Sequence, residues 1–155
     1  MLHFAYGSNM SRAVMREHAP GARPLGAALL GGYQFIICAD GYASIVPMRG
    51  SAVHGVLWRL TARDRATLDA WENTAGGLYR TEALPVRHRG RRSIALIYRA
   101  APGGRGRPKP GYMELVIGAA REWRLPRDYI SALQHFVPPS LRDRCPPRHG
   151  EFRWT

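Results

Sequence analysis

Lysine is almost missing from this 155-residue chain: all but one of its 23 basic residues are arginine, the exception being Lys109. That one amine sits in Arg107-Pro108-Lys109-Pro110, a flexible setting that does not suit Schiff-base chemistry, which needs a desolvated lysine. Cysteine is equally scarce. Cys38 and Cys145 lie far apart and neither belongs to a Cys-x-x-Cys pair, so a disulfide framework and a thiolate zinc site are both unsupported. The six histidines, His3, His18, His54, His88, His135 and His149, are scattered without ligand spacing, and no metal or other cofactor is expected. No run approaches the ~20 apolar residues of a membrane-spanning helix, and the first residues lack the apolar core of a signal peptide. The expectation is a cytoplasmic protein with no membrane partner, a monomer or a homodimer.

Acidic residues are also few, 11 against 23 basic, which leaves a formal net charge of +12. Such a balance can attract nucleic acid or acidic ligands. Arginine and alanine are used heavily along the whole chain, however, and no basic motif interleaved with aromatics of an RNA-binding type occurs. Compositional bias is the simpler explanation, and nucleic acid is not an expected partner. Internal repeats are absent.

The length suits one domain spanning 1–155, and a hydrophobic content of 45% can build a core. Strand-like runs cover 26–39, 43–48 and 52–60, with Asp40-Gly41 as a turn. Thr61-Ala62-Arg63-Asp64 resembles a capping box with aspartate in place of glutamate, and predicts a helix running through Leu68 and Trp71 to Glu72, ended by residues 73–77. Strands over 78–88 and 93–99, joined by a basic turn at 89–92, predict a hairpin. Residues 101–111 form a basic loop rich in proline and glycine. Helical patterning follows over 112–123 and 126–136, with Pro126 as a first-turn proline, and the tail after Val137 is expected to be irregular. Strands first and helices inserted or appended predict an α+β domain on a mixed, largely antiparallel sheet.

The first residues are the most informative. Leu2, Phe4 and Tyr6 alternate with His3 and Ala5 as in a strand, and Gly7 is placed to supply the backbone angles of a sharp exit. Ser8, Asn9 and Ser11 are N-cap types, and Ala13, Val14 and Met15 follow as a short helix closed by Pro20-Gly21. A strand, glycine turn and helix start would aim backbone N–H groups at one spot, which suits a carboxylate, a phosphate or an oxyanion. Such turns also occur with no chemistry attached.

In the predicted helix, Glu72 lies four residues after Leu68 and beside Trp71, on their apolar face, where burial would raise its proton affinity toward the range useful for acid/base work. Alternatively it is a helix-end residue paired with an arginine such as Arg65 or Arg80. Asp69 sits about 100° from Leu68 around the helix and is expected to face solvent or a structural partner.

Tyr6-Gly7-Ser8-Asn9, Leu68-Asp69-Ala70-Trp71-Glu72, Gly77-Leu78-Tyr79 and Pro110-Gly111-Tyr112, in this order and spacing, resemble the γ-glutamylcyclotransferase family within the AIG2-like superfamily. The resemblance covers roughly residues 2–136. Related families that degrade glutathione usually depart from Ser-Asn after the glycine and match less well. The resemblance implies a small closed β-barrel with surrounding helices, no cofactor, and Glu72 at the catalytic position. It implies substrate binding by Phe4, Ala5, Tyr6, Gly7, Ser8 and Asn9, ligand contacts by Tyr98 and Tyr112, and Tyr79 as a pocket wall. Taken as bare residues, such tyrosines are more often core or barrel-lining aromatics whose hydroxyls find partners.

The implied reaction is intramolecular attack of a γ-glutamyl substrate's α-amine on its side-chain carbonyl, releasing 5-oxoproline, with Glu72 carrying protons. Two departures stand out. The family's Gly-Ala pair after Tyr112 is here Gly118-Ala119-Ala120, a possible register shift of one, which leaves the role of Tyr112 open. The basic 101–111 loop is unusual and is expected to be a solvated, mobile lid or to have no function. The leaving group stays open among γ-glutamyl amino acids, γ-glutamylamines and a γ-glutamyl protecting group. Two other classes remain: a non-catalytic basic binding module on the same fold, and a Ser8-dependent hydrolase, which lacks a nucleophile elbow and a placed His/Asp pair.

Overall fold

Five strands close on one another in the computed structural model, which describes residues 1–139. They are β1 (Leu2–Ala5), β2 (Arg23–Ile37), β3 (Ala43–Arg59), β4 (Tyr79–His88) and β5 (Arg91–Ala100), in the barrel order β1-β3-β2-β4-β5. All pairings are antiparallel except the closing seam, where β5 meets β1 in parallel at His3↔Leu96. The helices are α1 (Arg12–His18), α2 (Ala62–Trp71), α3 (Tyr112–Glu122) and α4 (Arg127–Gln134), and a 3-10 turn at Ser8–Met10 follows β1. The α+β class, the largely antiparallel sheet and the closed barrel are all as expected.

Closure depends on long strands that bend. The two runs expected at 43–48 and 52–60 are one strand of 17 residues. Gly31 pairs with Ala52 and Tyr33 with Pro47, so residues 48–51 bulge opposite Gly32, which has φ 79°. The ladder is interrupted there while the chain stays extended, and a bulge sharpens local twist. This lets the Ala43 end of β3 swing back over Gly7.

Buried residues of several strands, among them Phe4, Leu30, Ile45, Leu57 and Ile97, share one core with Met113 and Val116 of α3. The capping box at Thr61 and Asp64 forms as the spacing predicts, and Asp64 also accepts from the Gly21 N–H at 3.0 Å. Burial raises the Asp64 pKa, but bonds from the Thr61 hydroxyl and from the Thr61 and Gly21 N–H groups outweigh it and hold the carboxyl below its usual range.

Two expectations need correction. Pro126 is the N-cap of α4, one position before the first turn. The 101–111 loop is exposed but stitched to the barrel. Arg105 bridges Cys38, the Gly106 N–H donates to Ile37 O at 2.9 Å, and the Lys109 N–H donates to Gly41 O at 3.0 Å. Helix α1 ends at His18 with Ala19 as its C-cap, directly before Pro20-Gly21 as expected, and the Gly21 N–H also docks onto Asp64. The expected tail, with Cys145 and His149, lies from 140 onward outside the described residues.

Candidate active site

Glu72 caps the C-terminal end of α2, its N–H bonded to Leu68 O at 2.8 Å. Asn73 follows in the left-handed region, φ 50°, and turns the chain away. The Glu72 side chain is therefore directed by a helix that the Thr61–Asp64 box starts and Asn73 stops. It is buried, with only 7% of the residue exposed. Asn9 of the 3-10 turn, itself 5% exposed, donates from Nδ2 to Oε1 of Glu72 at 2.7 Å. Among the described residues no arginine pairs with Glu72; Arg65 is taken by Asp69 and Arg80 by Glu82. Burial pushes the Glu72 pKa up to about 7 despite the Asn9 hydrogen bond, which pulls the other way. The amide oxygen of Asn9 is buried and has no hydrogen-bond partner among the described residues.

Three tyrosines share this neighbourhood. Ala43 carries two of them on its peptide groups: its N–H donates to the Tyr112 hydroxyl at 3.2 Å, and its carbonyl accepts from the Tyr79 hydroxyl at 2.6 Å. The Tyr112 hydroxyl also lies against the Ser8 N–H and side chain. Tyr6 donates to the carbonyl oxygen of Tyr98. Burial drives all three phenols above their ordinary pKa, and the Glu72 charge pushes each further in the same direction. All three are neutral at physiological pH and lie within electrostatic reach of Glu72.

Gly7 takes the unusual backbone angles expected of it, φ −110° with ψ −138°, outside the regular strand and helix regions, and a Cβ there would also lie 2.8 Å from the Tyr112 hydroxyl oxygen and 3.0 Å from the Ala43 Cβ. The missing side chain brings the turn against β3. Ser11 caps α1, with its hydroxyl 3.4 Å from the Val14 N–H, which frees Ser8 and Asn9 for the site.

Phe4 and Ala5 fall outside the group. They pair with Leu57 and Val56 in the ladder and are buried in the core, supporting the turn without facing it. Tyr98 also departs: its hydroxyl donates to Oδ1 of Asp69 at 2.7 Å, joining β5 to α2. Asp69 has structural partners, as its helical position predicts. Sequence reasoning missed Ala43, which acts through its peptide groups and carries no side-chain signal. It also missed Ser44, whose hydroxyl accepts from the Ala100 N–H at 3.0 Å and lies near Tyr6. Among the described residues no group of three or more His, Cys, Asp or Glu side chains could hold a metal ion, and no helix is long and apolar enough to cross a membrane.

Mouse gamma-glutamylcyclotransferase is 28% identical over 153 aligned residues, covering 88% of this chain and 79% of that protein. Among solved structures, a gamma-glutamyl cyclotransferase superposes with a TM-score of 0.84 at 23% identity, covering 93% of this chain and 92% of its own. An uncharacterized human protein gives 0.84 at 24% identity over 97% and 94% of the two chains. YkqA of Bacillus subtilis gives 0.76 at 23% identity, over 87% of this chain and 53% of that one. At these identities the structural likenesses establish the fold. The AIG2-like family model matches residues 52–133, more than half of the chain and the stretch holding Glu72, Tyr79 and Tyr112, so the chain belongs to the AIG2-like family.

Proposed function

We propose that this protein is a cyclotransferase that releases 5-oxoproline from a γ-glutamyl amino acid or γ-glutamylamine, with Glu72 as the general acid and base. The observation that carries the proposal is a buried carboxyl group with a pKa raised to about 7, held by Asn9 and ringed by neutral phenols. Similarity to mouse gamma-glutamylcyclotransferase supports the substrate class.

The chemistry needs little beyond positioning and proton transfer. Ionised Glu72 takes a proton from the substrate's α-ammonium, and the freed amine attacks the γ-carbonyl to close a five-membered ring. Protonated Glu72 then returns that proton to the departing nitrogen as the amide C–N bond breaks, and the second proton shed by the ring nitrogen passes to the freed amine, which leaves as an ammonium ion. One carboxyl group with a pKa near the working pH serves both steps. Holding amine and carbonyl together gains an effective molarity on the order of 10⁵ M or more. The Asn9 amide oxygen, without a hydrogen-bond partner among the described residues, would accept from the ammonium, and N–H groups of the 6–9 turn would take the substrate's negative charge. Tyr6, Tyr79 and Tyr112 exclude water and hold the substrate.

The test is mass-spectrometric detection of 5-oxoproline from a panel of γ-glutamyl amino acids and γ-glutamylamines, with wild type and Glu72→Gln side by side. Cyclic product from wild type and almost none from the variant is expected. Failure of wild type on the whole panel removes the proposal and favours the basic binding module. That second reading draws on the β4–β5 turn, where Arg87 faces Arg92 and, among the described residues, neither has an ion-pair partner.

A further inference from the structure

Asp69 precedes Glu72 by three residues and is fixed through both its side chain and its main chain. Its carboxylate receives Arg65 Nε at 2.9 Å on each oxygen and the Tyr98 hydroxyl at 2.7 Å on Oδ1. Its carbonyl oxygen receives the Thr74 N–H at 3.0 Å and the Thr74 hydroxyl at 3.1 Å. The side chain thus ties α2 to β5, and the main chain ties α2 to the segment just past Glu72.

Tyr98 has the complementary arrangement. Its hydroxyl reaches α2, while its carbonyl accepts from the hydroxyl of Tyr6, a wall of the candidate site. The ring is held edge-on by His3, with centroids 5.4 Å apart. His3 is buried and bonds Leu96 O through Nδ1 at 3.1 Å; burial lowers its pKa to about 4, so it is neutral at physiological pH and does not compete for Asp69. As stabilisation alone this arrangement brings little. The Arg65–Asp69 pair is partly exposed, and such pairs contribute about 0–1 kcal/mol. Its geometric effect is larger, because Glu72 has a single side-chain tether among the described residues, Asn9, and the distance to that tether depends on where α2 lies against the barrel.

We propose that Asp69 and Tyr98 act as a pair of positioning residues, whose hydrogen bond sets the seat of the last turn of α2 and so holds the Glu72 carboxyl in register with Asn9 and the Tyr6 wall. The kinetic readout rests on the function proposed above. A second readout, the titration of the Glu72 carboxyl followed by carbon-13 NMR, does not.

The primary variant is Tyr98→Phe, which deletes one oxygen and keeps the ring that packs on His3. Misplacement by a fraction of an ångström should lower kcat on the order of tenfold with KM within about twofold. As Glu72 gains water, the acid limb of the kcat profile and the NMR midpoint should both move down from about 7 toward the ordinary carboxylate range. Asp69→Ala, which also releases Arg65, should lose at least as much, and the double variant should be no worse than Asp69→Ala alone, because Asp69→Ala already removes the bond that Tyr98→Phe deletes. Asp69→Asn retains an oxygen that can accept from Tyr98 and should recover most of the loss.

A Tyr98→Phe protein with wild-type kcat and an unmoved Glu72 midpoint overturns the proposal, and so do fully additive losses in the double variant. Should Asp69→Ala fail to fold, the Tyr98→Phe result decides alone. If wild type makes no 5-oxoproline but the midpoint still moves in Tyr98→Phe, the enzymatic reading fails and the positioning role stands.

Discussion

Glu72→Gln should stabilise the protein while abolishing its turnover, by an amount that depends on pH in a calculable way. The folded carboxyl has its pKa raised from 4.5 to about 7 by burial. A raised carboxyl pKa means that the folded state binds more protons than the unfolded state between those two values, so wild-type stability falls as pH rises through that window. Below about pH 4.5 both states hold the proton and the cost vanishes; above about 7 it is complete. At 1.36 kcal/mol per unit, the shift amounts to about 3 kcal/mol.

Glutamine nearly matches the neutral acid in shape and carries no charge to desolvate. Its amide can also donate to the Asn9 oxygen that has no partner among the described residues. The variant should therefore melt close to wild type at pH 4 and roughly 6–12 °C higher at pH 8, using about 2–4 °C per kcal/mol for a chain of this size. Thermal melts by circular dichroism across pH 4 to 9, with both proteins in the same buffers, give the difference curve. Protonation of His3, whose pKa lies at about 4, is common to both proteins and cancels. A difference that is flat with pH, or a variant that loses ground as pH rises, refutes the claim that Glu72 is held ionised at a cost. The same titration requires wild-type kcat to fall as pH drops through about 7, since the base must be ionised to take the ammonium proton.

Gly7→Ala places a methyl group 2.8 Å from the Tyr112 hydroxyl oxygen, so either the turn or Tyr112 must shift. Its kcat/KM should fall on the order of tenfold with the fold retained, and full activity in a folded variant would show that the close approach is unnecessary. Thr61→Ala removes the hydroxyl that accepts from the Asp64 N–H at 3.1 Å and donates to the Asp64 carboxylate at 2.7 Å. It should cost about 1 kcal/mol, or roughly 2–4 °C in a thermal melt, and Thr61→Ser should restore most of it.

Elements held by neighbours in sequence were legible. The Thr61–Asp64 box, the β4–β5 hairpin and the helix running to Glu72 each follow from hydrogen bonds or periodicities spanning a few residues. The apolar face of Glu72 was legible for the same reason, since Leu68 and Glu72 are one turn apart. The continuity of β3 was not, because glycine and arginine at 49–50 signal a break, and only pairing across Gly32 shows that the strand continues. The position of Tyr98 was not legible either, since nothing local says which face of β5 meets α2.

By itself, then, the sequence determined the order and local form of the elements and a carboxylate on an apolar helix face. Tertiary structure decided what that carboxylate meets. Asn9 is 63 residues from Glu72, Ala43 is 69 from Tyr112 and 36 from Tyr79, and Asp69 is 29 from Tyr98. Contacts this distant depend on how twist and bulges accumulate along strands until the barrel closes. The burial that raises the Glu72 pKa exists only once closure has brought the 6–9 turn, the start of β3 and the end of α2 together.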